Sequence, residues 1–357
     1  MIPDADIRKA YTLPADFYQN QAIFQGKQKQ MFRQNWHWFT SDSERNPNDT
    51  IVPAVLLENY LDAPVLLTFS GDNQVTALSN VCTHRAARLC QHPSKQSSIV
   101  CPYHGRNFDL AGNFKSMPGF EETENFPTES DNLKHLHHNC WRGIHFVSPL
   151  PDIPFEAWIK PVEDRMAFFP VEQLKPDPIL SRDYIVNAHW ALYCDNYLEG
   201  FHIPFVHPGL NQSLNIAKYR DELFPYGTLQ TGMATKGEMT FDLPEDAPDL
   251  GLPIAGYYFW LFPNLMLNFY PWGLSVNIVK PLSLERTLIS YKIFVWKPEL
   301  FGKGAGSDLD KVEREDEQIV ESVQKGINSG FYHQGRFSAT REKGVHHFHR
   351  LLSQKLL

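Results

Sequence analysis

Residues 80–110 read NVCTHRAARLCQHPSKQSSIVCPYHGRNFDL and decide how the chain is to be read. Cys82 and His84 lie two residues apart. Cys101 and His104 lie three apart, with Pro102 inside the second pair and Gly105 just after it. Two thiolates and two imidazoles on short turns can hold Zn²⁺ tetrahedrally or a [2Fe–2S] cluster. Zinc pairs usually come as Cys/Cys and then His/His, whereas here each segment supplies one Cys and one His. That layout fits a cluster with one iron on two thiolates and the other on two imidazoles. A buried cysteine beside polar turn histidines, or a zinc-held scaffold without redox chemistry, is the competing reading.

The stretch closely resembles the Rieske motif of aromatic-ring-hydroxylating and related oxygenases. The residues that carry the resemblance are Cys82-Thr83-His84-Arg85-Ala86-Ala87 and Cys101-Pro102-Tyr103-His104-Gly105. Arg106 stands where that family often has Trp. Respiratory-chain Rieske proteins carry extra cysteines beside both pairs. Tyr103 takes one of those positions, which leaves Cys90 to be read as a small buried thiol.

Working outward, 357 residues exceed what one hydrophobic core usually serves, so two domains are expected. A net charge of −8 and the lack of a basic cluster argue against a nucleic-acid partner. The N-terminus lacks a secretory layout and no apolar run approaches a membrane span, so a cytoplasmic protein is expected. Five cysteines at irregular spacing suit reduced thiols or metal ligands.

Residues 14–38 carry apolar residues near helical spacing and predict one or two amphipathic helices, so residues 1–38 are read as a helical segment packing on the catalytic domain. From 39 to 150, short runs such as VPAVLLENY (52–60), APVLLTFS (63–70) and GIHFVSPL (143–150) predict a small all-β domain. SPLPDIPFEAWIKP (148–161) reads as a boundary. Residues 151–357 mix strand-like stretches at 265–282 and 286–298 with helical ones at about 190–202 and 309–328. This predicts an α+β domain with an antiparallel sheet. FGKGAGSD (301–308) reads as a flexible connector. KHLHHNC (134–140) and VHHFHRLL (345–352) read as hydrogen-bonded or packing histidines rather than metal sites.

The second constellation lies in WALYCDNYLEGFHIPFVHPGL (190–210). On a continuous helix Asp195, Glu199 and His202 share one face, a polar stripe within an apolar segment. Pro204 is expected to end that helix and let His207 swing back towards His202. Two histidines need a carboxylate to complete the face that binds non-haem Fe(II). In residues 308–327 Asp316 sits at the centre of an apolar stripe formed by Leu309, Val312, Ile319, Val320, Val323 and Ile327. Glu313, Glu315, Glu317 and Glu321 read as a solvated face; a helix-end carboxylate near solvent is the plainer reading of Asp316.

These segments resemble the catalytic domain of Rieske oxygenase α subunits, most like the choline, carnitine and glycine-betaine monooxygenase branch. The resemblance implies a large antiparallel sheet flanked by helices (helix-grip type), with His202, His207 and Asp316 as iron ligands. It implies that Glu199 bridges to a cluster histidine of a neighbouring subunit, and that Asp195 and Asn196 support the ligands from behind. It further implies a homotrimer, an NAD(P)H-dependent flavin or iron–sulfur reductase as partner, and O₂ as co-substrate. The aromatic run 256–273 suggests Tyr258, Trp260, Phe269 and Tyr270 as substrate contacts. The favoured reaction is N-methyl hydroxylation or demethylation of a quaternary-ammonium compound. Ring hydroxylation of an arene or other apolar substrate is the alternative, and a Rieske electron-transfer protein without oxygenase activity is the rival from another class.

Overall fold

The computed structural model describes residues 2–71 and 74–356, and the chain divides into two compact units. One comprises Arg33–Asp152; the other joins Met1–Phe32 to Ile153–Leu357.

The Arg33–Asp152 unit is all-β. Its strands are β1 (His37–Ser41), β2 (Ile51–Leu56), β3 (Ala63–Phe69), β4 (Val75–Ser79), β5 (Ser98–Val100), β6 (Asn107–Asp109), β7 (Phe114–Ser116), β8 (His137–Trp141) and β9 (Ile144–Ser148). They form three antiparallel three-stranded sheets in the orders β1-β9-β8, β2-β3-β4 and β5-β6-β7. Alternating residues of these strands, among them Ile51, Leu66, Leu78, Ile99 and Phe108, close one apolar core, and Cys82 and Cys101 belong to it. The histidine-rich segment is tied internally: His138 Nε2 meets His145 Nδ1 at 2.9 Å, and His145 Nε2 meets Asp42 at 3.2 Å.

The larger unit is built on an eight-stranded antiparallel sheet. Its strands are β10 (Lys175–Pro176), β11 (Arg182–Val186), β12 (Arg220–Phe224), β13 (Gly227–Met233), β14 (Ile254–Leu261), β15 (Leu265–Tyr270), β16 (Gly273–Ser283) and β17 (Arg286–Val295). The order is β10-β17-β16-β15-β14-β13-β12, with β11 also on β17. Strands β13 and β15 are buried along their whole length, because both faces of the sheet are covered. Among the helices that follow the N-terminal turns are α1 (Phe155–Arg165), α2 (Trp190–Tyr197), α3 (Ile203–Val206), α4 (Leu309–Asn328) and α5 (Lys343–Leu356). The N-terminal helical turns pack on this unit: Phe32 lies 5.0 Å from the Trp190 ring, and Gln28 accepts from the Trp190 indole at 2.7 Å.

The proline-rich stretch 148–161, read as a boundary, contains the division between the units at Asp152 and Ile153 and becomes helical from Phe155, with Pro161 inside α1. Two expectations are corrected. Helix α2 stops at Tyr197 rather than running to residue 202. The glycine-rich connector is a packed turn: a Cβ on Gly306 would lie 2.5 Å from Trp272 Nε1, so only glycine fits there.

Candidate metal centres

The four cluster residues sit on two loops of the same construction. In the first, the Cys82 amide bonds the Ala87 carbonyl and the Ala86 amide bonds the Cys82 carbonyl. In the second, the Cys101 amide bonds the Arg106 carbonyl and the Gly105 amide bonds the Cys101 carbonyl. Each loop turns through a left-handed residue four places after its cysteine, Ala86 (φ 57°) and Gly105 (φ 72°). The cysteines point into the core while the histidines lie half-buried at the tips, their rings 4.9 Å apart.

This arrangement fits a [2Fe–2S] cluster. His104 Nδ1 is buried with no hydrogen-bond partner among the described residues, a cost that a ligated metal removes. Burial, with the adjacent Cys101, pushes the Cys82 thiol up. Burial and the positive charges of His104, Arg106 and Arg85 push His84 down, towards the neutral form that ligates. Arg106 is buried among Phe108, Phe114 and Phe126, and its guanidinium donates to Asp131 at 2.5 Å.

The second centre is built on α2, α3 and α4. Helix α2 ends because Gly200 follows closely and the Glu199 carboxylate captures the backbone amides of Phe201 and His202. Pro204 then occupies the first turn of α3 rather than ending a helix, where its missing N–H costs nothing. His202 and His207 flank this four-residue helix, and their rings stand 5.1 Å apart. Asp316 approaches from α4: its Oδ1 is 3.0 Å from His207 Nε2 and 3.4 Å from His202 Nε2. The ligand atoms of the three residues lie within 4.8 Å of one another.

The other ring nitrogens are anchored. His202 Nδ1 meets Glu199 at 2.7 Å and His207 Nδ1 meets Glu315 at 2.8 Å. With both Nδ1 protons held by carboxylates, two Nε2 lone pairs and a carboxylate oxygen converge, an arrangement that calls for a cation. Burial opposes the charged form of His207, but hydrogen bonds and charge from Asp316 and Glu315 raise its pKa. Asp195, placed behind Glu199 in sequence, accepts from Tyr18 at 3.0 Å and pairs with His349 at 2.8 Å.

Beside the three residues is a cavity of about 110 Å³. Six tyrosines line it: Tyr193, Tyr197, Tyr219, Tyr258, Tyr270 and Tyr291. Tyr258 stands 5.9 Å from Tyr270, edge to face, and 6.4 Å from Tyr219 in a parallel stack. Two expected contacts are corrected. Trp260 shares a strand face with Tyr258 but packs against Phe348 of α5 at 5.0 Å, and Phe269 faces the other side of the sheet against Phe169 at 5.2 Å. The tyrosines of α2 and the loop before β12 supply the missing walls. A second cavity of about 480 Å³ shares Asn196, Glu199 and His202 with the first.

Helix α4 also differs from its sequence reading. Its buried residues are Glu313, Val320, Gln324 and Ile327, so the buried face is rotated by roughly 60° from the centre of the apolar stripe. Glu313 is therefore buried, not solvated: Tyr193 donates to it at 2.5 Å and Asn277 at 3.1 Å. Ile319 and Val323 are left exposed.

Two family models match the chain: a Rieske [2Fe-2S] domain over residues 36–127 and a ring hydroxylating alpha subunit (catalytic domain) over 171–357. A carnitine monooxygenase oxygenase subunit of Escherichia coli is 30% identical over 98% of this chain and 95% of its own length. A chloroplastic choline monooxygenase of Arabidopsis thaliana is 26% identical over 99% of this chain and 85% of its own. The apo form of the quaternary ammonium Rieske monooxygenase CntA superposes with a TM-score of 0.77 at 25% identity, covering 99% of this chain and 96% of that one. Naphthalene 1,2-dioxygenase from Rhodococcus sp., at 16% identity and a TM-score of 0.76 over 97% and 94% of the two chains, shares the fold. The electron-transfer and zinc-scaffold readings are thereby set aside: the chain belongs to the Rieske non-haem iron oxygenases, which pair a [2Fe–2S] domain with a mononuclear iron catalytic domain.

Proposed function

We propose that the chain is the terminal oxygenase of a multicomponent system that hydroxylates an N-methyl group of a quaternary ammonium compound. The observation that carries this reading is the six-tyrosine cavity beside His202, His207 and Asp316. Aromatic faces attract desolvated quaternary ammonium groups by about 2 kcal/mol or more. A volume of about 110 Å³ also suits a small compact head better than a fused ring system, since sites for drug-sized ligands start near ~300 Å³. Relatives that are carnitine and choline monooxygenases support the same substrate class.

In this reading Cys82, His84, Cys101 and His104 hold the cluster, and His202, His207 and Asp316 hold Fe(II), which supplies activation of O₂. Glu199 and Glu315 keep the two histidines' Nδ1 protons in place, so that each Nε2 faces inward. Tyr258 and Tyr270 contact the substrate, and Ile203, Leu210 and Leu214 keep water from its methyl groups. One oxygen atom enters a C–H bond; the other leaves as water with two electrons and two protons. The resulting N-hydroxymethyl group gives up its hydroxyl proton to water and breaks its C–N bond, the pair staying on nitrogen, to give formaldehyde and a tertiary amine.

An NAD(P)H-dependent reductase supplies the electrons, consistent with a cytoplasmic location; among the described residues, no helix is long and apolar enough to cross a membrane. A homotrimer, closed head to tail, brings a neighbour's cluster histidine to Glu199. Support for it comes from the exposed Ile319, Val323 and Tyr332 at the second cavity and from Tyr103, exposed and stacked on His104 at 3.7 Å. Asp195 and Asn196 line the second cavity together with Glu199, and Asp195 is held there by Tyr18 and His349.

The test is O₂ uptake and formaldehyde release with a surrogate reductase, comparing choline and betaines with naphthalene and toluene. Coupled turnover of an ammonium compound is expected. Ring-hydroxylated products, with no turnover of any ammonium compound, would overturn the proposal.

A further inference from the structure

We infer that Glu313 is the counter-ion of the substrate, and that the cavity is matched to a quaternary ammonium compound carrying a hydroxyl or nothing in place of a carboxylate. This rests on the function proposed above and narrows its substrate.

Glu313 and Asp316 lie one turn apart on α4 and both face the cavity. Their charges have different employment. A ferrous ion held by two neutral imidazoles and Asp316 would use that carboxylate, whereas Glu313 is not among the residues that converge there. Tyr193 and Asn277 hold its two oxygens, and burial pushes its pKa up to about 8 despite those hydrogen bonds, with Asp316 and Glu317 adding to the rise. A carboxyl so placed is costly to ionise in an empty cavity and becomes favourable beside a desolvated cation.

The same wall is hostile to a substrate anion. Among the described residues lining the cavity are Glu199, Glu313 and Asp316 but no lysine or arginine. Arg182 lies beyond Tyr291 and Leu309, in an adjoining cavity, and is held by Asp310 at 2.8 Å. Three amide side chains of the wall already serve the protein. Asn268 serves Ser275 and Asn277, Asn277 serves Tyr193 and Glu313, and Gln230 serves the Tyr197 carbonyl. A carboxylate entering here would lose its hydration and, away from the metal ligands, would face acidic side chains with no lysine or arginine among the described lining residues to pair with. Tyrosine hydroxyls are adequate partners for an alcohol.

The test is anaerobic calorimetric titration of the metal-loaded protein with choline, with its neutral isostere 3,3-dimethylbutan-1-ol, and with glycine betaine. In the wild type, choline is expected to bind roughly tenfold or more tightly than either of the others. Glu313→Gln is expected to weaken choline by roughly tenfold and leave the isostere unchanged, and Glu313→Asp to keep the preference for choline. Iron and sulfide content and melting temperature show whether each variant is intact; if neither is, the wild-type ranking decides. Glycine betaine binding as tightly as choline would overturn the inference while leaving the proposed function standing. So would an intact Glu313→Gln protein with unchanged choline affinity. Naphthalene binding with no affinity for any ammonium compound would overturn both.

Discussion

Removing the Glu315 carboxylate should loosen the mononuclear iron without touching any ligand. Glu315 Oε2 lies 2.8 Å from His207 Nδ1, and the His207 ring is almost fully buried. Leaving a buried N–H without an acceptor costs about 1–3 kcal/mol. The Glu315 side chain is 24% exposed, so water can partly replace it, and the expected cost falls to about 1–2 kcal/mol. That corresponds to Fe(II) binding weakened by roughly five- to thirty-fold in Glu315→Ala. Glu315→Gln keeps an acceptor and loses only charge assistance, about 0.5–1 kcal/mol, or two- to five-fold. Both replacements are good helix formers, and the exposed Lys311 partner at 3.9 Å adds little, so α4 itself should be unaffected. The assay is anaerobic Fe(II) titration against a competing chelator, with cluster absorbance as an internal control. Iron affinity within twofold of wild type in Glu315→Ala would refute the idea that this carboxylate holds His207 for the metal.

Other expectations are independent of that one. Arg106→Trp removes a buried cation whose charge acts on His84, so the cluster midpoint potential should fall by on the order of tens of millivolts, the scale of a nearby charge at an effective dielectric near 20; an unchanged potential in a dye-mediated titration would show that Arg106 only fills space. Val323→Glu places a charge on the exposed apolar edge of α4 and should dissociate the proposed trimer to a monomer by sedimentation, with coupled turnover lost; a variant that sediments like the wild type rules out that edge as the interface. His189 is fully buried and burial pushes its pKa down to about 3. Its folded-state pKa is below the unfolded value, so stability is complete above pH ~6.5 and is lost as pH falls, by about 2 kcal/mol at pH 5. His189→Asn should flatten the denaturant midpoint between pH 7.5 and 5, and an unaltered pH slope would contradict this.

The chemistry-bearing pairs were legible because their loops are local. Cys82/His84 and Cys101/His104 owe their geometry to turns of a few residues, and spacing records that directly. Helix α4 was legible in extent for the same reason, its period spanning Leu309–Asn328. What periodicity misjudged was which face is buried. The apolar stripe of α4 includes Ile319 and Val323, which the single chain leaves exposed, while Glu313 goes inside because Tyr193 and Asn277, distant in sequence, are there to satisfy it. The end of α2 was hidden for a related reason: Glu199 reads as a good helical residue until its side chain is seen capturing backbone amides. Tyr258 and Tyr270 of the aromatic run line the cavity, but the run does not record which face or part of a face is covered: Phe269 lies on the opposite face and Trp260 packs under α5.

The twin loops around Cys82 and Cys101 are each latched by two main-chain bonds that involve no ligand atom. Main-chain bonds of that kind owe nothing to the inorganic core, so loss of the core alone, with the thiols still reduced, leaves them in place. Repair then becomes a matter of refilling rather than refolding, which suits a catalyst whose own co-substrate is the agent most apt to destroy it.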